Sequence, residues 1–162
     1  MNRLARFTMD VAEPKDVETL VRDVRTEDAE EIRLMGLDTV ENSIRLSAAN
    51  SNATFAAKIG DDLLCLFGVY QTTDDTAVIW EIGTNAVRRN AKAFLQATQH
   101  MLALSMDVAP KSVTAFVNYM PESYATYRKW IERHAGAEFD DAPAPSKTGA
   151  MFRKLVIRRK GE

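Results

Sequence analysis

Two arginines and a lysine, Arg88, Arg89 and Lys92, lie in residues 84–93, whose sequence is TNAVRRNAKA. The segment follows a predicted strand and leads into a predicted long helix. The N-terminus of a helix presents unpaired backbone N–H groups and the positive end of the helix dipole, and both favour a bound anion. Small side chains at Ala91 and Ala93 allow a ligand close to the backbone. The pattern therefore indicates a phosphate-binding site, with a basic first turn on an exposed helix as the alternative.

One carboxylate in an apolar strand is a candidate general base. Glu81 lies between Trp80 and Ile82, directly before the basic segment. An apolar setting raises the pKa of a carboxylate towards neutrality, where it can accept a proton from a substrate. The alternative interpretation is an outward-facing strand residue.

Further polar residues lie downstream. Asn118 ends a predicted strand, where its amide can bond a ligand. Tyr124 and Tyr127 lie along one side of a predicted helix. Tyr124 is a candidate general acid, although a tyrosine on an apolar helix face is often a core residue.

The hydrophobic pattern predicts elements in the order βααβββαβαβ, which indicates an α/β or α+β protein with a single sheet. Alternation and apolar runs predict strands at 17–24, 53–59, 63–70, 77–83, 112–117 and 151–158. Spacing at i, i+3, i+4 and i+7 predicts helices at 27–37, 39–49, 88–105 and 121–135. Residues 140–149, with two prolines, are expected to form a loop.

Composition excludes several classes of protein. The chain has 162 residues, one cysteine, two histidines and a net charge of −2. The length favours one domain, and the charge argues against nucleic-acid binding as the main role. One cysteine and two histidines are too few for a structural zinc cluster, so we expect no metal. The longest apolar run, residues 63–70, is too short to span a bilayer, so we expect a cytoplasmic protein or one packaged by something assembled in the cytosol.

A resemblance to a known family rests on these same residues. Residues 88–93, RRNAKA, resemble the Arg/Gln-x-x-Gly-x-Gly/Ala signature of the GNAT superfamily of N-acetyltransferases, which lies between a strand and a helix. Asn118, the aromatic helix and residues 136–139, GAEF, are similar to the family's Asn…Tyr…Gly-Phe segment. The chain most resembles the small GNAT-like proteins of tailed phages, among them the internal virion proteins of T7-like podophages. Ala91 stands where the signature has glycine, and its methyl group would approach a bound pyrophosphate.

The resemblance implies a fold and a domain organisation. We expect a three-layer α/β/α sandwich with a mixed, twisted sheet of six to seven strands, built from residues 16–160 after an N-terminal tail of residues 1–15. It also implies acetyl-CoA as co-substrate, with Glu81 as base and Tyr124 as the candidate acid. The position of the family's tyrosine can be that of Tyr124 or of Tyr127. The coenzyme-binding residues it implies are Ile82, Val87, Arg88, Arg89, Asn90, Ala91, Lys92, Ala93, Asn118 and Tyr127.

Two functions are compatible with this resemblance. One is a phage-encoded N-acetyltransferase whose partners are coenzyme A and an amine acceptor on a host or viral molecule. The other is a non-catalytic protein that keeps the fold and contacts virion or host proteins. The signature favours the enzyme, and Ala91 favours the alternative.

Overall fold

The computed structural model describes residues 7–108, 112–118, 125–139 and 142–158. The helices are α1 (Pro14–Asp23), α2 (Thr26–Met35), α3 (Val40–Asn50), a 3-10 helix (Asn85–Arg89), α4 (Ala91–Val108) and α5 (Ala125–Ala135). The strands are β1 (Phe7–Val11), β2 (Ala53–Ile59), β3 (Asp62–Gln71), β4 (Thr76–Gly83), β5 (Ser112–Asn118), β6 (Glu138–Phe139), β7 (Ala144–Pro145) and β8 (Met151–Arg158).

The strands form one mixed sheet. Within the described residues its order is β1-β2-β3-β4-β5-β8-β6, and β7 also pairs with β8. The β4–β5 pair is parallel, and the other pairs are antiparallel. Two of the strands, β6 and β7, have only two residues each. The predicted mixed sheet is confirmed, and within the described residues it has eight strands where six to seven were predicted.

Helices cover both faces of the sheet. On one face, Leu66 of β3 packs in a cluster with Leu20 of α1 and Ile44 of α3. On the other face, Phe67 packs in a cluster with Met101 of α4 and Ile131 of α5. Successive residues of a strand point to opposite faces, so β3 contributes to both cores. The three-layer α/β/α architecture is confirmed.

The two central strands separate after a short contact. β4 and β5 pair over Thr76–Val78 and Ser112–Thr114. β5 then stays paired with β8 over its whole length, from Ser112 to Asn118. The remainder of β4, residues 79–83, therefore borders a gap that opens towards the carboxyl ends of both strands.

The strand predicted at 17–24 is wrong, because this segment is helix α1. Pro14 occupies the first turn, and the Asp16 carboxylate accepts a hydrogen bond from the backbone N–H of Glu13 at 2.8 Å, as in a capping box. The apolar residues Val17, Leu20, Val21 and Val24 also follow helical spacing and join one core cluster. A 3.6-residue period explains these positions better than the alternation of charge.

Other boundaries also differ from the prediction. The segment expected to be a tail contributes β1, which pairs with β2, and the start of α1. Arg88 and Arg89 lie in the 3-10 helix rather than in α4. Two residues of the expected loop at 140–149 form β7. Residues 121–124 of the last predicted helix lie outside the described residues. Within the described residues, no helix has the length and apolar character to cross a membrane.

Gly68 makes room for a tryptophan across the β3–β4 ladder. A Cβ atom built on Gly68 would lie 2.1 Å from Nε1 of Trp80, the residue opposite it in register. The same Nε1 donates a hydrogen bond to Oγ of Ser51 at 2.8 Å, which fixes the ring. Gly68 is therefore required by packing rather than by backbone conformation.

We expect Gly68→Ala to lower the free energy of unfolding by about 1–3 kcal/mol, because the added methyl group overfills this contact. Urea unfolding measures the change. In a Trp80→Val background the same substitution should cost much less, because its steric cause is gone. An equal cost in both backgrounds would contradict the interpretation.

Candidate active site

The backbone N–H and C=O groups of every second residue of β4 point towards the gap. The N–H of Thr84 bonds to the carbonyl of Leu64, and the N–H of Thr72 bonds to the carbonyl of Thr76. In an antiparallel ladder, alternate residues are hydrogen-bonded to the partner strand, so the even-numbered residues of β4 face β3. The N–H and C=O groups of Ile79, Glu81 and Gly83 consequently point to the β5 side.

The gap edge of β4 is open at Glu81 and filled at Gly83. The backbone groups of Val78 face β3, so its pairing with Thr114 is made through the residues on either side of it, and the N–H of Ile79 faces the carbonyl of Thr114. Glu81 lies beyond this ladder, and within the described residues the ladder gives its edge groups no strand partner. At Gly83, the carbonyl accepts from the N–H of Arg25 at 2.9 Å. The N–H of Gly83 donates to Oδ2 of Asp28 at 2.6 Å. An open backbone edge of this kind can bind an extended ligand as a strand would.

The basic segment turns sharply after β4. Thr84 caps the 3-10 helix, since its hydroxyl oxygen accepts from the N–H of Ala86 at 3.2 Å. Asn90 ends it with φ −133° and ψ 36°, and its side-chain amide donates to the carbonyl of Ala86 at 3.0 Å. α4 starts immediately afterwards at Ala91. The N-terminus of an 18-residue helix is thus placed a few residues beyond the gap edge of β4.

Positive charge surrounds this helix terminus. Arg88, Arg89 and Lys92 are exposed. One of them already has a partner, since Nη2 of Arg88 lies 2.8 Å from Oε1 of Glu27 on α2. Both side chains of the pair are exposed, and pairs of this kind contribute little to stability. An anionic ligand can therefore compete for Arg88.

Of the other expected coenzyme-binding residues, some are exposed and some lie in the core. Ala91 is exposed at the first position of α4, and no non-glycine residue in the described part of the chain has a positive φ. Its methyl group therefore imposes no backbone strain. Val87 and Ala93 are buried. Ile82 packs in the core beside α1 and α3, and its backbone faces β3.

Glu81 points at α4 rather than at solvent. Oγ1 of Thr98 lies 3.1 and 3.2 Å from the two carboxylate oxygens. The carboxylate is partly buried. Burial raises the pKa of Glu81 to about 8. The hydrogen bond from Thr98 lowers this pKa, the negative charge of Asp28 raises it, and the positive charge of Arg25 lowers it. A carboxylate with a raised pKa of this kind can act as a general base near neutral pH.

The other expected site residues are described less fully. Asn118 is the last residue of β5 and pairs with Phe152 of β8. Tyr127 lies in the first turn of α5. The structure does not describe the side chains of Asn118 and Tyr127, and Tyr124 lies outside the described residues. Cys65 is buried, and burial raises the pKa of its thiol well above the usual value, which disfavours a nucleophilic role.

Arg25 and Asp28 are site residues that the sequence analysis missed. Both line the gap edge at Gly83, and their side chains form two hydrogen bonds with each other at 2.9 and 3.0 Å. Their spacing of three residues at the start of a helix is a signal for an ion pair. Nothing in that spacing indicates a contact with β4, which lies 55 residues away along the chain.

Comparison with solved structures places this architecture among acetyltransferases. Ard1 from Thermoplasma volcanium superposes with a TM-score of 0.67 at 14% identity, over 95% of this chain and 99% of that chain. A GNAT-family acetyltransferase from Bacillus anthracis gives 0.64 at 18% identity, over 96% of both chains. Spermidine N-acetyltransferase from Vibrio cholerae, in complex with CoA and spermine, gives 0.65 at 10% identity, over 94% of this chain and 95% of that chain.

Comparison of sequences adds nothing to this likeness. No protein-family model matches the chain, and no curated protein matches it in sequence. The structural likeness establishes that the chain has the fold of GNAT acetyltransferases.

The raised pKa of Glu81 predicts that stability falls as pH rises. Between the ordinary value of 4.5 and about 8, the folded chain keeps a proton that the unfolded chain releases. The free energy of unfolding therefore decreases through this window, by at most roughly 1.4 kcal/mol per pH unit from this group. Below the window both states are protonated, and above it both are ionised.

Urea unfolding of the parent and Glu81→Gln between about pH 5 and about pH 8 isolates this contribution. Glutamine keeps an oxygen for Thr98 but does not titrate. The stability of Glu81→Gln relative to the parent should therefore increase with pH. A constant difference between the two proteins would show that Glu81 titrates normally.

Proposed function

We propose that the chain is an acetyl-CoA-dependent N-acetyltransferase. The observation that carries this proposal is the open gap edge of β4 beside the basic N-terminus of α4. The solved structures with this fold include a spermidine N-acetyltransferase bound to CoA and a Bacillus acetyltransferase bound to CoA. The acceptor that fits this chemistry is an amine.

The residues present fit coenzyme A. Its phosphates are anionic, and Arg88, Arg89 and Lys92 surround a helix terminus that favours anions. Its pantetheine arm carries two amide groups. Glu81 offers its backbone N–H and C=O groups along the gap edge, and Ile79 offers its C=O group. Ala91 keeps helical geometry, so the N–H groups of the first turn remain available.

The chain's own residues account for the steps of acetyl transfer. A backbone N–H on the gap edge donates to the thioester carbonyl oxygen, where negative charge develops. The acceptor nitrogen attacks the carbonyl carbon, so that a C–N bond forms and the C–S bond breaks. Glu81, directly or through water, takes the proton that the amine loses. Tyr124 is proposed to return a proton to the departing sulfur.

The finer identity of the protein rests on the sequence resemblance. Residues 117–139 resemble small GNAT-like proteins of tailed phages, which supports a phage origin and a host or viral amine as acceptor. A non-catalytic virion or host-interaction protein is the second candidate. The observation that favours it is the filled edge at Gly83, where Arg25 and Asp28 take both backbone groups.

Coenzyme binding separates these two functions. Ligand at about a hundredfold excess over Kd adds about 2.7 kcal/mol to the stability of a protein that binds it. Saturating acetyl-CoA should therefore raise the Tm by about 5–10 °C in a domain of this size. Arg88→Glu/Arg89→Glu should abolish most of this shift, because attraction to the phosphates becomes repulsion.

Lys15→Glu is the matched control for the charge change. Lys15 is exposed near the start of α1, whereas the gap lies beyond the end of this helix. Its Tm shift with acetyl-CoA should equal that of the parent. An undiminished shift in the double variant would remove the phosphate site from this segment, and no shift in the parent would favour the non-catalytic candidate.

Glu81→Gln tests the chemistry. Loss of a general base typically lowers a rate by about 10²–10⁴. We expect this loss in the release of free thiol from acetyl-CoA with a panel of primary amines that includes spermine, while the Kd for acetyl-CoA is retained. The parent rate should rise with pH through about 8, where Glu81 ionises.

Two further variants provide a control for Glu81→Gln and a test of the general acid. Glu41→Gln changes an exposed carboxylate on α3 and should leave the rate unchanged. Tyr124→Phe should lower the rate if Tyr124 protonates the sulfur. A Glu81→Gln protein with the parent's rate and pH profile would assign the proton to another group.

A further inference from the structure

Asp28 holds a backbone group on the gap edge of β4. Its side chain is 13% exposed. Oδ2 accepts from the N–H of Gly83 at 2.6 Å and from Nε of Arg25 at 3.0 Å. Oδ1 accepts from Nη2 of Arg25 at 2.9 Å. A charged acceptor makes a stronger hydrogen bond to a backbone N–H than a neutral one does, so the bond between Asp28 and the N–H of Gly83 is a strong one.

Residues 24–28, which comprise the connection from α1 and the first turn of α2, lie along the end of β4 and are called the α1–α2 junction here. Val24 and Arg25 lie beside β4 as an additional strand would. Val24 forms an isolated antiparallel bridge with Thr84. The N–H of Arg25 donates to the carbonyl of Gly83 at 2.9 Å. The Arg25 guanidinium lies 5.6 Å from the centre of the Phe94 ring on α4, within cation–π range. The junction thereby satisfies both edge groups of Gly83.

Gly83 permits this close approach. A Cβ atom at this position would lie 2.9 Å from Cγ2 of Val87 and 3.3 Å from Oδ2 of Asp28. Any larger residue would push the carboxylate or the 3-10 helix away. The absence of a side chain at Gly83 therefore allows the α1–α2 junction to contact β4.

Gly83 also lies on the path of the coenzyme. Under the proposed function, the phosphates bind at the N-terminus of α4 and the pantetheine arm binds at Glu81 and Ile79. Gly83 lies between these two places along the chain of β4 and the 3-10 helix. An arm that joins them must pass the edge groups that Arg25 and Asp28 now hold.

We propose that Asp28 competes with the pantetheine arm for the N–H of Gly83, so that coenzyme binding displaces the α1–α2 junction from β4. The inference rests on the proposed function. The two hydrogen bonds between Arg25 and Asp28 survive this displacement, so no buried charge loses its partner. At Gly83 the arm supplies an acceptor and a donor in place of the two bonds that it displaces. The bridge between Val24 and Thr84 and the contact of Arg25 with Phe94 are given up as the junction moves.

The test compares two substitutions and two ligands by isothermal titration calorimetry. Asp28→Ala removes the competing acceptor, so the Kd for CoA should fall by about fivefold to tenfold, the value of one hydrogen bond. Asp28→Asn keeps an oxygen for the Gly83 N–H and should bind CoA within about twofold of the parent. Adenosine 3′,5′-bisphosphate lacks the pantetheine arm, so its Kd should be the same in all three proteins.

A purely structural role for Asp28 gives a different result. Asp28→Ala would then lower the Tm and weaken or leave unchanged the binding of both ligands. If the parent binds CoA and Asp28→Ala binds it no more tightly, the competition is overturned and the proposed function is left intact. Failure of all three proteins to bind either ligand overturns the proposed function and the competition with it.

A second measurement needs no substitution. Amide hydrogen exchange in the parent, followed by NMR, should show protected N–H groups at Gly83 and Arg25 without ligand. Saturating CoA should accelerate exchange of the Arg25 amide by at least about tenfold, because its acceptor on Gly83 is taken by the arm. Saturating adenosine 3′,5′-bisphosphate should leave it protected. Unchanged protection of Arg25 in the CoA complex would overturn the proposal.

Discussion

The parallel contact between β4 and β5 ends after three residue pairs, and the candidate site depends on this separation. β4 continues in register with β3, while β5 continues in register with β8. Each strand therefore follows its own antiparallel partner, and the sheet consists of two antiparallel units joined by one short parallel ladder. A strand edge without a ladder partner has unsatisfied N–H and C=O groups, which favour a ligand or another segment of the chain. Within the described residues, the chain itself fills this edge at Gly83 and leaves it open at Glu81.

Two carboxylates beside the gap have different surroundings and therefore different chemistry. Asp28 receives hydrogen bonds from a guanidinium and a backbone N–H, whereas among the described residues Glu81 accepts from the hydroxyl of Thr98. Burial raises the pKa of Glu81, and Asp28 and Arg25 act on it in opposite directions. If Asp28 and Arg25 move away together, their opposing effects leave together. Burial then still determines the pKa of Glu81, so binding of a ligand at Gly83 need not remove its ability to accept a proton.

Local patterns predicted the elements whose hydrophobic period is clear. The strands β2, β3, β4, β5 and β8 and the helices α2 and α3 follow the apolar spacing of their own residues. α1 was missed because its charges alternate while its apolar side chains follow a helical period. β1 was missed because its five residues carry no strong pattern before pairing with β2. The contact of Asp28 with Gly83 was beyond prediction, because it joins residues 55 positions apart and depends on where two elements meet.

The sequence signature indicated that the small residue at position 91 is the one that matters, whereas packing requires a small residue at Gly83. The signature has glycine where this chain has Ala91, yet Ala91 is exposed, begins α4 and has no positive φ to strain it. The position that must lack a side chain lies eight residues earlier, at Gly83, because a Cβ atom there would meet Val87 and Asp28. A methyl group at the helix terminus can turn towards solvent, whereas a methyl group at Gly83 has no free direction. Under the proposed function, the approach of a ligand to the backbone is therefore limited at Gly83 by the α1–α2 junction, and not by Ala91 at the start of α4.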